Sequence, residues 1–104
     1  MKRIHHFIDN ELFEGEPDAY GDVFDPSLGA PCAEVALGGA AVVQRAVDSA
    51  QKALPGWAAT SPIQRARVIF RYKALLDAHR DELAALITQE HGKVLSDARG
   101  SVIR

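Results

Sequence analysis

Apolar and polar positions divide the chain into a short-period first third and a longer-period remainder. His5-His6-Phe7-Ile8 and Glu11-Leu12-Phe13 read as two short strands around a turn at Asp9-Asn10. Those two residue types tolerate the left-handed backbone that such turns require. Glu16-Pro17-Asp18-Ala19-Tyr20-Gly21 reads as loop. Val23-Phe24-Asp25 gives a brief extended piece, because Pro26 pushes Asp25 out of the helical region. Pro26-Ser27-Leu28-Gly29 has proline and glycine where a turn uses them. Cys32-Ala33-Glu34-Val35-Ala36-Leu37, bounded by Pro31 and Gly38-Gly39, has weak strand character. The pattern predicts a small antiparallel meander, which needs a helix or another sheet against one face.

The rest reads as helix. Val43, Val47, Ala50, Leu54 and Trp57 recur at spacings of three and four, which places them on one stripe. Leu54-Pro55-Gly56 is expected to end this helix, since proline removes a donor and disfavours helix at the residue before it. Ser61-Pro62-Ile63-Gln64 predicts a new start, with serine as N-cap, proline in the first turn and Gln64 for a reciprocal cap. The apolar stripe then runs through Ile63, Ala66, Ile69-Phe70, the stem of Lys73, Leu76, Leu83 and Leu86-Ile87. One helix from Pro62 to Glu90 would be far longer than average. A break near His79-Arg80-Asp81 is expected, with Asp81-Glu82 in the first turn of the next helix. Gly92 is the predicted stop. Leu95-Ser96-Asp97-Ala98 begins a last helix, with Ser96 as its cap and Val102-Ile103 in its buried stripe. Arg104 follows without a C-cap or closing loop, which reads as a truncation.

Composition narrows the classes. A chain of 104 residues is one domain at most, with a hydrophobic share of 47% and a charged share of 25%, ordinary for a soluble protein. A net charge of −2 gives no basic field for nucleic acid or an anionic membrane. The single Cys32 allows no internal disulfide and fits a reducing, cytoplasmic setting. Phe7-Ile8 is far too short for a signal-peptide core, and no stretch approaches membrane-spanning length.

Residue chemistry alone yields no self-contained catalytic site. Cys32 has only Glu34 nearby in sequence, and a carboxylate discourages thiolate formation, so a structural thiol is the better reading. His5-His6, His79 and His91 share no metal-ligand spacing with one another or with Cys32. His79 is expected at the surface. Gly38-Gly39 and Gly29-Ala30 match neither phosphate-loop nor dinucleotide fingerprints, and Asp81-Glu82 needs no role beyond helix capping. The chain reads as an α+β module whose amphipathic helices want a partner surface.

A set of segments, in order and without large gaps, resembles the N-terminal part of the aldehyde dehydrogenase superfamily. They are Phe7-Ile8-Asp9-Asn10, Phe24-Asp25-Pro26-Ser27-Leu28-Gly29 with Ala33-Glu34-Val35, and Val47-Asp48-Ser49-Ala50 leading to Leu54-Pro55-Gly56-Trp57. Arg65-Ala66-Arg67-Val68-Ile69-Phe70 follows, then Asp81-Glu82-Leu83-Ala84-Ala85-Leu86-Ile87. Glu90-His91-Gly92-Lys93-Val94-Leu95-Ser96-Asp97-Ala98, with Gly100-Ser101-Val102-Ile103-Arg104, looks most like the methylmalonate-semialdehyde dehydrogenase branch. Arg99 and Ser101 stand where that branch often has acidic residues.

The resemblance implies an α/β parent whose NAD-binding domain begins with residues 1–104, as a short antiparallel β meander followed by three to four helices. It implies NAD as cofactor and CoA as co-substrate in oxidising malonate or methylmalonate semialdehyde, as in valine and inositol breakdown, by a homo-oligomeric enzyme. In that family a cysteine thiolate attacks the aldehyde, hydride passes to NAD, and the acyl group leaves on CoA. The nucleophile, the cofactor-binding motif and the oxyanion asparagine lie downstream, so none is carried over here, and no cofactor is expected to bind this chain alone. The family's glycine-x-valine-x-arginine pattern falls on Gly100-Ser101-Val102-Ile103-Arg104 and makes Arg104 the expected ligand of the substrate carboxylate. The expectation is a scaffold segment without dehydrogenase activity of its own. The rivals are a non-catalytic interaction fragment and a piece of another aldehyde dehydrogenase branch.

Overall fold

The computed structural model describes residues 1–15 and 17–104, so the Glu16 end of the expected 16–21 loop lies outside the described residues. Five strands precede four helices: β1 (Lys2–Ile4), β2 (His6–Ile8), β3 (Glu11–Phe13), β4 (Ala19–Asp25), β5 (Ala30–Leu37), α1 (Ala40–Ala59), α2 (Pro62–Ala78), α3 (Arg80–His91) and α4 (Leu95–Ile103). No helix among them is long and apolar enough to cross a membrane. The chain divides into two compact units. Residues 1–23 and 31–59 form the first, and residues 24–30 and 60–104 the second.

In the first unit, β2 and β3 form the expected hairpin, with His6 opposite Phe13, Phe7 opposite Leu12 and Ile8 opposite Glu11. Asp9 and Asn10 both take positive φ, 56° and 63°, which matches the twist of a two-residue hairpin turn. Helix α1 lies on this hairpin. The Arg45 guanidinium sits 4.5 Å above the Phe13 ring, and Ser49 Oγ donates to Asp9 Oδ1 at 3.2 Å.

The expected strands followed by helices form, but the sheet is not antiparallel throughout. The larger sheet has the order β1-β5-β4 and is mixed, because β1 pairs with β5 in parallel: Lys2 with Ala33, Arg3 with Glu34, Ile4 with Val35. No turn chemistry announces a parallel pairing between segments thirty residues apart. The register brings Arg3 Nε to 3.1 Å from Glu34 Oε2, and the Arg3 guanidinium lies over Tyr20 at 4.5 Å. Two strand limits also differ from the local reading. β4 begins at Ala19, inside the expected loop, and β5 begins at Ala30 and so contains Pro31. The buried residues of this unit, Ala33 and Ala36, both belong to β5.

Helix α1 does not stop at Pro55. It runs through the proline to Ala59, since the ring removes one donor while the flanking residues keep helical geometry. In the second unit the Pro26–Gly29 turn forms as expected. Gly29 N–H donates to Asp25 O at 2.8 Å, and Asp25 Oδ1 accepts from Ser27 N at 2.8 Å. Ser61 caps α2 by accepting from Gln64 N at 3.4 Å. The break expected near residues 79–81 is present: α2 ends at Ala78, and α3 begins at Arg80 with Asp81 and Glu82 in its first turn. Gly92, at φ 86°, ends α3, its N–H donating to Thr88 O at 2.8 Å.

The expected cap of α4 is wrong. Val94 is the N-cap, with extended backbone and no side-chain capping bond, and Ser96 lies within the first turn. Ile103 is 64% exposed rather than buried. Helices α3 and α4 pack closely on each other, and small residues permit this: Ala84 of α3 and Ala98 of α4 are fully buried. Asp81 Oδ1 accepts from Arg99 Nε at 3.0 Å and ties the two helices at their surface.

Candidate functional site

The end of α4 carries the residue that the sequence nominates. Lys93 stands just before α4, Asp97 and Ser101 lie within it one turn apart, and Arg104 is its C-cap three residues later. Lys93 Nζ donates to Ser101 Oγ at 3.0 Å and approaches Asp97 Oδ2 at 3.4 Å. Arg104 Nη2 donates to the same Ser101 oxygen at 3.3 Å, while the Ser101 hydroxyl donates to Asp97 O at 3.3 Å. Arg104 N–H closes the helix on Gly100 O at 3.2 Å. The Arg104 side chain has no carboxylate partner among the described residues, and it is exposed.

Arg104 also borders an open groove of about 600 Å³ formed by α2, the start of α3 and the last turn of α4. Its apolar lining includes Ile69, Leu76 and Val102, and its charged lining is Lys73, Asp77, Arg80 and Arg104. Asp77 is committed already, with Lys73 Nζ at 2.7 Å and Arg80 Nη2 at 3.5 Å. The Lys73 hydrogen bond, helped by the Lys73 and Arg80 charges, holds the Asp77 carboxyl below its ordinary value. Arg80 Nε is shielded from solvent and has no hydrogen-bond partner among the described residues. Three cations against one engaged carboxylate favour an anion, and the lining offers neither thiol nor imidazole for bond-breaking chemistry. The sequence reading singled out Arg104 but missed Lys73, Asp77, Arg80, Lys93 and Ser101. Their spacings of three and four were the available signal.

The remaining sequence candidates are dispersed. Cys32 is half-buried, and its Sγ donates to Val23 O at 3.3 Å, the environment of a structural thiol. The His5 ring meets Tyr20 edge-on with centroids 6.5 Å apart, whereas His6 borders a separate apolar pocket beside Gly38 and Val42. His79 sits at the α2–α3 junction, its Nδ1 3.0 Å from Glu82 Oε2 and its side chain well exposed. Among the described residues no three of His, Cys, Asp and Glu cluster as metal ligands. The strand–glycine–helix junction β5–Gly38-Gly39–α1 is the place where a dinucleotide phosphate would be sought. A Cβ on Gly39 would collide with Asp18 Oδ2, so a carboxylate already stands at that helix start. Its charge repels a pyrophosphate, and the residues there do not fit NAD.

The profile of the aldehyde dehydrogenase family matches residues 13–104. The chain belongs to the aldehyde dehydrogenase family. Malonate-semialdehyde dehydrogenase of Pseudomonas aeruginosa is 38% identical over all 104 residues, which cover 21% of that relative. Among solved structures, a Sinorhizobium meliloti protein assigned as a methylmalonate-semialdehyde dehydrogenase and crystallised with NAD superposes with a TM-score of 0.95. It is 39% identical, with coverage of 100% of this chain and 21% of that one. Methylmalonate-semialdehyde dehydrogenase of Oceanimonas doudoroffii gives a TM-score of 0.94 and 40% identity, covering 99% of this chain and 21% of its own. This aldehyde dehydrogenase chain therefore spans about a fifth of the length of the relatives it matches. Its short mixed sheet and four helices are the architecture of that region.

Proposed function

We propose that residues 1–104 are the N-terminal portion of the NAD-binding domain of a CoA-acylating malonate- or methylmalonate-semialdehyde dehydrogenase. In this reading the chain contributes scaffold and one substrate contact, Arg104, and does not catalyse the reaction alone. The observation that carries it is the likeness, over 100% and 99% of this chain, to two proteins described as methylmalonate-semialdehyde dehydrogenases at 39% and 40% identity. In such an enzyme NAD would supply the hydride acceptor and CoA the acyl acceptor. The part of this chain is to hold the substrate carboxylate, for which a guanidinium without a carboxylate partner is well suited. In this reading Gly92 ends α3 and leads the chain into α4, which carries Arg104 at its end.

The test is complementation. Pseudomonas aeruginosa malonate-semialdehyde dehydrogenase lacking its matching N-terminal fifth is mixed with this chain, and NADH formation is followed with malonate semialdehyde, NAD and CoA. The mixture is expected to be active and each part alone silent. Arg104→Met is expected to raise KM at least tenfold while changing kcat less, because one charge-assisted hydrogen-bonding group is lost. NADH formation by the chain alone would overturn the scaffold reading. Association of the two parts without activity would overturn the assignment to this enzyme.

A further inference from the structure

Charge is segregated along this chain. Residues 9–25 hold seven acidic residues and no lysine or arginine, whereas residues 49–76 hold five cations and no acid. Four of those cations, Arg65, Arg67, Arg71 and Lys73, belong to α2. Ile69, Tyr72, Leu76 and Asp77 of this helix line the groove shared with α3 and α4. At 3.6 residues per turn, Ile63, Arg67, Phe70, Arg71 and Ala74 fall on a different side, within about a third of the circumference. Ile63 and Phe70 are 65% and 68% exposed. Arg67 and Arg71 are exposed as well and enter no ion pair among the described residues.

The β2–β3 hairpin presents the opposite charge. Its side chains alternate between two faces. His6, Ile8 and Phe13 are half-buried, with Phe13 under Arg45 of α1. Phe7 and Leu12 are paired across the strands on the other face, 68% and 64% exposed. Glu11 and Glu14 flank that pair, are exposed, and form no ion pair among the described residues. Two apolar side chains flanked by two carboxylates thus match two apolar side chains beside two guanidinia. The acids on the same chain repel nucleic acid and anionic membranes, so the counterpart of the α2 stripe is a carboxylate-bearing protein surface.

We propose that the outer face of the β2–β3 hairpin of one copy docks on the Ile63–Ala74 stripe of α2 in a second copy. Phe7 and Leu12 lie against Ile63 and Phe70, and Glu11 and Glu14 meet Arg67 and Arg71. The contact is head-to-tail, since each copy offers a different patch to the other. Its apolar side chains supply the affinity. Exposed ion pairs add little energy and instead select partner and register. The α2 stripe is separate from the Arg104 groove, so the inference owes nothing to the role proposed for Arg104. Salt sensitivity also distinguishes it from apolar association through α1.

The experiment is sedimentation of the complete 104-residue chain against concentration and sodium chloride, with each variant's fold checked by circular dichroism. The parent chain is expected to associate at low salt and at least tenfold more weakly in about 1 M salt, where the screening length is about 3 Å. Arg67→Glu with Arg71→Glu, and separately Glu11→Lys with Glu14→Lys, are each expected to lose the salt-sensitive association. Mixing these two chains should restore it, because opposite charges then face each other at both patches. Lys2→Glu with Lys52→Glu changes the net charge as much as the α2 pair does, away from the stripe, and should associate like the parent. Undiminished association of the folded Arg67→Glu, Arg71→Glu chain would overturn the proposal. So would an equal loss in the Lys2→Glu, Lys52→Glu chain, which assigns the effect to net charge, or no recovery on mixing. A parent chain that stays monomeric would overturn the second copy as occupant and leave the stripe to an acidic segment of another protein.

Discussion

Gly92 holds a φ of 86°, and a Cβ built there would approach Pro26 Cγ to 3.0 Å. Left-handed backbone and a near neighbour both select glycine, so Gly92→Ala is expected to cost about 1–3 kcal/mol in urea unfolding. A change below a few tenths of a kcal/mol would show that the α3–α4 turn tolerates a side chain. Asp77 supplies a pH prediction. Its carboxyl is held below the ordinary value, first by the Lys73 hydrogen bond and then by the Lys73 and Arg80 charges. A folded-state value below the unfolded one means that the contribution is present above the unfolded-state value. It is lost as pH falls through the folded one. Lys73→Met should move the Asp77 carboxyl resonance titration upward, and an unmoved curve would assign the effect elsewhere. At this scale the sequence was informative wherever backbone chemistry is local. Asp9-Asn10, Ser61 and Gly92 each act within three or four residues, so their types disclose their roles. The partners of Arg104 were less plain, because a charge at helical spacing usually faces only solvent.

Helix α1 shows how an element can outlast its own breaker. Pro55 leaves the Gln51 carbonyl without its intrahelical donor, yet the helix reaches Ala59. Pro55→Ala is therefore expected to stabilise the chain, by up to about 3 kcal/mol, with a raised thermal midpoint and an undiminished helical circular-dichroism signal. A lower midpoint would mean that the proline ring packs favourably where it is. Ser61 works the other way. Its side chain accepts from Gln64 N at the start of α2, and Ser61→Ala should cost about 1 kcal/mol in the same melt. The helix count, the α2–α3 break and the glycine stop could all be read from periodicity and caps. The start of α4 could not, because Val94 caps it by backbone conformation alone and Ser96 offered a better chemical type two residues too late.

Across the molecule, the buried hydrophobic residues among those described are Ala33, Ala36, Ala84 and Ala98. Val43, Val47, Leu54 and Trp57 of the α1 stripe are exposed, Trp57 by 43%, as are Ile63, Ile69 and Phe70 of α2. Apolar surface of this kind favours association. The chain on its own is expected to sediment as concentration-dependent oligomers and to bind an apolar dye. Val47→Gln with Leu54→Gln should reduce both without loss of helix signal. A compact monomer with a sharp thermal transition at high concentration would sink that expectation and remove the support that the exposed stripes give to a covering partner.

The stretch from Glu90 to Ala98 separates what sequence and tertiary structure each contributed. By itself the sequence determined the hairpin turn, the helix stripes, the caps and the glycine stop, because these depend on neighbours three or four residues away. Its segment order also carried the likeness to the aldehyde dehydrogenases. Tertiary structure alone decided the parallel β1–β5 pairing. It also placed the groove that Arg104 shares with Lys73, Asp77 and Arg80. Pairing across thirty residues and the relative placement of helices follow from packing and register, which no local pattern of residue types encodes.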